Sequence, residues 1–112
     1  MNVTEDQIDR QEYVRRLLDA YRRTPGTSGY IRNPDRHFAA ALYEKQIPLS
    51  AVEHALLLAT ARRLLRPAEA PPLSPVRSFH YFKAVIDEVM GAPVGEDYIC
   101  YLREKIARFM KK

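Results

Sequence analysis

The chain has one cysteine, Cys100, so no intramolecular disulfide can form. That excludes the small disulfide-stapled secreted class and makes a reducing cytoplasm the expected home. Long apolar runs are missing as well. The longest is Ala55-Leu56-Leu57-Leu58-Ala59, far short of the roughly 20 residues that cross a bilayer. Met1 to Glu12 is mostly polar and carries no apolar signal core, so no membrane partner is expected. Glycine is scarce, with four residues, and neither a Walker nor a Rossmann pattern is met. No segment alternates polar and apolar residues strongly enough for a sheet, and no repeat or low-complexity tail is present. His37, His54, His80 and Cys100 show none of the CxxC, HxxxH or HExxH spacings. No metal and no cofactor is expected.

What is present fits a single small helical domain, residues 1–112. Hydrophobic residues are 46% and charged residues 29% of the chain, enough apolar mass for one core and too much for disorder. Thr4-Glu5-Asp6-Gln7 has the form of a capping box, and Val14, Leu17, Leu18 and Tyr21 follow at helical spacing beside Tyr13. This predicts a first helix over about 5–23, closed by Pro25-Gly26. Asn33 as N-cap and Pro34 after it open a second helix over about 34–45, with Phe38, Ala41 and Leu42 inward. Ile47-Pro48-Leu49 breaks it. Ser50-Ala51-Val52-Glu53 is a second capping box and starts a third helix over about 51–66. That helix is apolar nearly all round, which places it at the centre of a bundle.

The segment RPAEAPPLSP, residues 66–75, is a stiff crossing loop. A fourth helix is expected over about 75–90, with Phe79, Phe82, Val85, Ile86, Val89 and Met90 inward. A fifth is expected over about 96–110, burying Tyr98, Ile99, Leu102, Ile106, Phe109 and Met110. The fold class is therefore all-α: a bundle of about five helices around a central third.

Charge carries the strongest functional signal. The net charge is +4, and the bases are unevenly placed. Arg10 to Arg36 holds seven arginines against three acids, and the last ten residues hold five bases against Glu104. Arg15, Arg16, Arg22 and Arg23 share the outer face of the first helix. Arg32 and Arg36 flank the start of the second. Tyr101, Lys105 and Arg108 share one side of the fifth, an aromatic among bases as single-strand binders use. These nine residues are the candidate phosphate-binding set. The loop TPGTSGYIRN, residues 24–33, lies between the arginine groups. Its glycines turn the chain, and any phosphate there would be held by Arg32, Arg36 and a helix N-terminus.

Catalytic signals are weak. Asp87-Glu88 and Glu96-Asp97 are adjacent pairs, which diverge on a helix, and no nucleophile, base and orienter stand out. The segment from Asp35-Arg36-His37-Phe38-Ala39-Ala40 to Val52 resembles the Arg-His-x-x-Ala stretch of tyrosine recombinases over fewer than twenty residues. The other catalytic bases and the tyrosine nucleophile of that family are not evident, so no enzyme is expected. A helix-turn-helix made of the second and third helices would need polar side chains on the third, which is mostly Leu and Ala.

Pro48-Leu49-Ser50-Ala51-Val52-Glu53-His54-Ala55-Leu56, a basic helix end, and then Ser78-Phe79-His80-Tyr81-Phe82-Lys83-Ala84-Val85-Ile86-Asp87-Glu88 resemble the C-terminal helical region of DnaD-type replisome organisers and related plasmid or phage replication proteins. The resemblance spans about half the chain. It implies binding of single- or double-stranded DNA and the loading of replication or transposition partners, without catalysis. The expected function is thus a nucleic-acid-binding accessory protein of DNA replication or of a mobile element. The alternative is a protein-interaction adaptor, using exposed Tyr30, Tyr43 and Tyr101 and the crossing loop.

Overall fold

A computed structural model of the protein describes residues 9–111 and contains five α-helices. They are α1 (Arg10–Arg23), α2 (Asn33–Glu44), α3 (Leu49–Leu64), α4 (Lys83–Gly91) and α5 (Glu96–Met110). A 3-10 turn, Phe79–Phe82, leads directly into α4. Among the described residues there is no strand, only an isolated parallel bridge between Thr27 and Val76. The fold is an all-α bundle.

Local chemistry explains where the helices begin; α5 begins at Glu96 as expected, and the other four differ from the expected starts. Asp9 is extended and its carboxylate accepts the Glu12 N–H at 2.8 Å. It is therefore the N-cap of α1, which starts at Arg10 and not near residue 5. The Thr4–Gln7 capping box lies outside the described residues. In α2, Asn33 is the first helical residue rather than the cap. Asp35 does the capping from inside the helix, accepting the Arg32 N–H at 2.9 Å. α3 starts at Leu49 after Pro48, with no side-chain cap bond, so the Ser50 box is not used. The helix expected from Pro75 begins at Phe79, behind Ser78, whose hydroxyl accepts the His80 N–H. Residues before it are held in another way. Val76 donates to Gly26 O at 2.7 Å, and Ser28 donates to Val76 O at 2.8 Å. A helix through Val76 would lose both bonds.

The core forms around α3, which packs against α1, α4, α5 and the 3-10 turn. Val52, Ala55, Leu56, Leu58, Ala59, Thr60 and Ala61 are all buried, so nearly the whole circumference is covered, as expected for a central helix. Tyr13, Leu17, Leu18 and Tyr21 of α1 and Ala39 and Leu42 of α2 complete one side. Ala41, expected inward, is exposed, and Ala39 takes that place. Tyr43 is half-buried, edge-on to Tyr13 at 5.2 Å, which removes it from the expected exposed tyrosines.

α5 packs mainly on α3 and so covers only one narrow stripe. Ile99, Leu102 and Ile106 are buried, whereas Tyr98, Phe109 and Met110 are 49%, 40% and 55% exposed. Their expected burial is wrong because, among the described residues, no second helix closes over their flanks. Met90, at the end of α4, is exposed in the same way.

One buried carboxylate joins the two halves of the chain. Asp35 is 2% exposed. Its Oδ2 accepts the Arg32 N–H, and its Oδ1 accepts the Phe79 N–H at 2.9 Å. It thus satisfies free amides at the start of α2 and at the start of the 3-10 turn, where helix dipoles also favour an anion. Phe79 then stacks on Tyr21 at 5.0 Å and meets Phe38 edge-on at 5.1 Å. The Tyr21 hydroxyl is buried with no partner among the described residues. Burial pushes its pKa up, the nearby Asp35 charge adds to this, and Arg32 opposes it.

Two outcomes follow from these contacts. Asp35→Ala should lower unfolding free energy by roughly 3 kcal/mol in urea titration, since it strands one buried and one part-buried donor and removes charge-assisted bonds,. Asp35→Asn, which keeps one carbonyl acceptor, should fall between it and the native protein. A loss below about 1 kcal/mol for Asp35→Ala would remove Asp35 from this role. The second concerns alkali. The Tyr13 hydroxyl donates to Ile47 O at 2.7 Å, and burial raises its pKa from 10.0 to about 12. The folded state keeps a proton that the unfolded chain releases, so stability present below pH 10 is lost as pH rises towards about 12,. Tyr13→Phe should make that alkaline loss of stability shallower.

Candidate nucleic-acid interface

The sequence places Glu12 and Asp19 on the outer face of α1 together with Arg15, Arg16, Arg22 and Arg23. The structure pairs them. Glu12 lies three and four residues before Arg15 and Arg16 and contacts them at 2.7 and 3.2 Å. Asp19 holds Arg22 and Arg23 at 2.8 and 2.9 Å in the same pattern. Neighbours at these spacings share a helix face. Hydrogen bonding from Arg15 is the main cause of the lowered Glu12 pKa. Four arginines against two carboxylates leave the face at about half its nominal charge, in exposed pairs each worth only tenths of a kcal/mol.

Arg32 and Arg36 are exposed at the start of α2. The helix N-terminus beside them is not open, because Asp35 already accepts the Arg32 N–H. The preceding loop is also committed. Gly26 and Gly29 have φ of 90° and 83°, a conformation glycine adopts freely. The Thr27 and Ser28 amides donate to Thr24 O and Val76 O. Arg63 braces the same region: it donates to Ser74 O at 2.8 Å and to the Tyr81 hydroxyl at 3.2 Å, with its guanidinium over the Tyr81 ring. The loop joins two parts of the fold and leaves few amides for an anion.

α5 is different. Ile99, Leu102 and Ile106 face α3, so the opposite side points outward, with Tyr101, Lys105 and Arg108 on it. The Lys105 ammonium lies 5.6 Å from the centre of the Tyr101 ring, within cation–π range. Among the described residues, no carboxylate lies within 4.0 Å of Lys105 or Arg108. The structure adds Tyr98, whose ring stacks on Tyr101 at 6.0 Å with 22° between the planes. Tyr98, Tyr101, Lys105 and Arg108 recur at spacings of three, four and three, one continuous stripe along a helix. That spacing is readable in the sequence, but an aromatic next to an apolar face looks like core until the packing is known.

An open groove of about 300 Å³ lies between α1 and α5, where Arg23 and Ala20 of α1 face Ile106 of α5 across Glu53, Leu56, Leu57 and Thr60 of α3; the α5 stripe of Tyr101, Lys105 and Arg108 does not line it. Of the candidate arginines, Arg23 alone lines it. Arg62, outside the candidate set, is held by Glu88 in a two-bond pair at 2.9 and 2.6 Å that links α3 to α4 and raises the Arg62 pKa.

His54 is half-buried with its Nε2 3.8 Å from a Glu96 oxygen. Among the described residues no group of three His, Cys, Asp or Glu side chains could hold a metal ion, and no helix is long and apolar enough to cross a membrane. No family model, no curated protein and no solved structure matches the chain.

Tyrosine nitration followed by peptide mapping checks this surface. Tyr98, Tyr101, Tyr81 and Tyr30, from 46% to 72% exposed, should react in the native protein. Tyr13 and Tyr21, at 6% and 0%, should react only on unfolding. Early modification of Tyr21, or protection of Tyr98 in the monomer, would contradict the placement of α5.

Proposed function

We propose that the protein is a nucleic-acid-binding accessory module of DNA replication or of a mobile element. Binding runs mainly through phosphate contacts and is led by α5. The supporting observation is the contrast between two basic surfaces. On α1 each acid pairs with two arginines and halves their charge, whereas Lys105 and Arg108 stand clear of any described carboxylate beside exposed aromatic rings. A phosphate approaching α1 must compete with pairs already made. One approaching α5 has no such competitor among the described residues. Arg32 and Arg36 add longer-range attraction, and the paired Arg15, Arg16, Arg22 and Arg23 add less. The resemblance to the DnaD-type C-terminal region supports the same reading, as does the basic pI of about 9.4,. The second reading, a protein-interaction adaptor, is favoured by the exposure of Tyr30 at 72% and Leu73 at 47%.

Fluorescence anisotropy with labelled oligonucleotides over a salt series tests the primary reading. Affinity should fall as salt rises. Lys105→Ala with Arg108→Ala should reduce the log–log slope by roughly 1 for each phosphate no longer neutralised. Arg15→Ala with Arg16→Ala should change it less. Absence of binding at low salt, or binding with no salt dependence, would sink the reading and leave the adaptor.

A further inference from the structure

α5 carries more than charge. Resting on the nucleic-acid reading above, we infer that the ligand of this helix is a single strand, whose bases stack on Tyr98 and Tyr101 while Lys105 and Arg108 hold its phosphates. Both rings are about half exposed, at 49% and 46%. They lie nearly parallel, 22° apart and 6.0 Å between centres, so their outward faces are set in series and not at random angles. The Lys105 ammonium lies over the Tyr101 ring, 5.6 Å from its centre, so a base stacking on that face displaces the flexible lysine stem, whose charge then turns to the phosphate. Phe109, 40% exposed, lies one turn beyond Lys105 on the same flank. Arg108 follows Tyr98 by ten residues, about 15 Å of helix, a length suited to a few nucleotides.

The physical distinction from a duplex is what the rings can reach. In a duplex the base faces are stacked on one another, and an aromatic wedge must first unstack a step, which costs a few kcal/mol. Reading base edges in a groove instead needs hydrogen-bonding side chains such as Asn, Gln or Arg in place of tyrosine rings. A single strand offers free π-faces of every base and needs no sequence. Four bases against Glu104 between Arg103 and Lys111 supply the complementary charge,. The groove beside Ile106 is mainly apolar, and its one lining base, Arg23, is offset by Glu53 on the same lining, which leaves little net charge for a polyanion.

The test compares labelled oligo(dT), oligo(U) and a blunt duplex hairpin of equal phosphate number, against the native chain, Tyr98→Ala, Tyr101→Ala and Tyr101→Phe. The single strands should bind tighter than the hairpin. Each alanine variant should weaken single-strand binding roughly tenfold and leave hairpin binding nearly unchanged, and Tyr101→Phe should retain native affinity. All these positions are exposed, so the variants should keep the native circular dichroism spectrum. With no tryptophan in the chain, quenching of tyrosine emission on adding oligo(dT), reduced in the alanine variants, reports the stacking directly. Equal or tighter hairpin binding with silent tyrosines, but a normal salt slope, overturns the single-strand inference and keeps the phosphate-binding function. Failure of every oligonucleotide to bind overturns both.

Discussion

The Asp35 carboxylate is the contact on which the arrangement of this fold turns. It is almost completely buried, yet each of its oxygens accepts a backbone N–H, one at the start of α2 and one at the start of the 3-10 turn. A buried charge is tolerated only when it is fully hydrogen-bonded, and here two helix N-termini supply both donors and a favourable field. Because those donors belong to Arg32 and Phe79, far apart in the chain, the bond sets where the second half of the chain returns to the first. The Tyr21–Phe79–Phe38 aromatic group is assembled at that junction. The Val76 bridge to the Gly26–Ser28 turn and the Arg63 contacts hold the crossing loop beside it.

From that junction α4 runs over α3 and the chain turns into α5. α5 is packed on one side, since among the described residues α3 is its one substantial neighbour. One-sided packing buries Ile99, Leu102 and Ile106 and leaves the rest of the helix to solvent. This is why aromatic residues at the same helical spacing have opposite fates. Phe79 and Phe82 are enclosed between α1, α2 and α3, while Tyr98, Tyr101 and Phe109 remain accessible. The surface that supports the proposed function is therefore a consequence of topology as much as of composition.

Charge shows the same dependence. A count of arginines makes α1 the leading candidate, and the acids within its own sequence weaken it. Glu12 and Asp19 sit at the spacings that reach Arg15, Arg16, Arg22 and Arg23, so this part was legible by placing acids and bases on one wheel. The freedom of Lys105 and Arg108 was not, because it depends on what other elements bring near them.

Helix number, order and the central position of the third helix were determined by sequence alone, because apolar periodicity and Pro/Gly breaks are local properties. The α5 bounds were legible for the same reason. Helix starts were less so. Ser50 and Asn33 have the right side chains for caps, but Pro48, and Asp35 acting from inside α2, define those ends in the fold. Asp35 itself reads as one more surface acid beside two arginines, and only the arrival of the Phe79 amide, 44 residues later in the chain, shows its role. Tertiary structure alone decided which tyrosines are core and which are surface, since burial depends on how many neighbours a helix has and not on its own pattern. It also decided which bases stay unpaired, since an ion pair needs two groups, often far apart in sequence, that the fold must bring within a few ångströms.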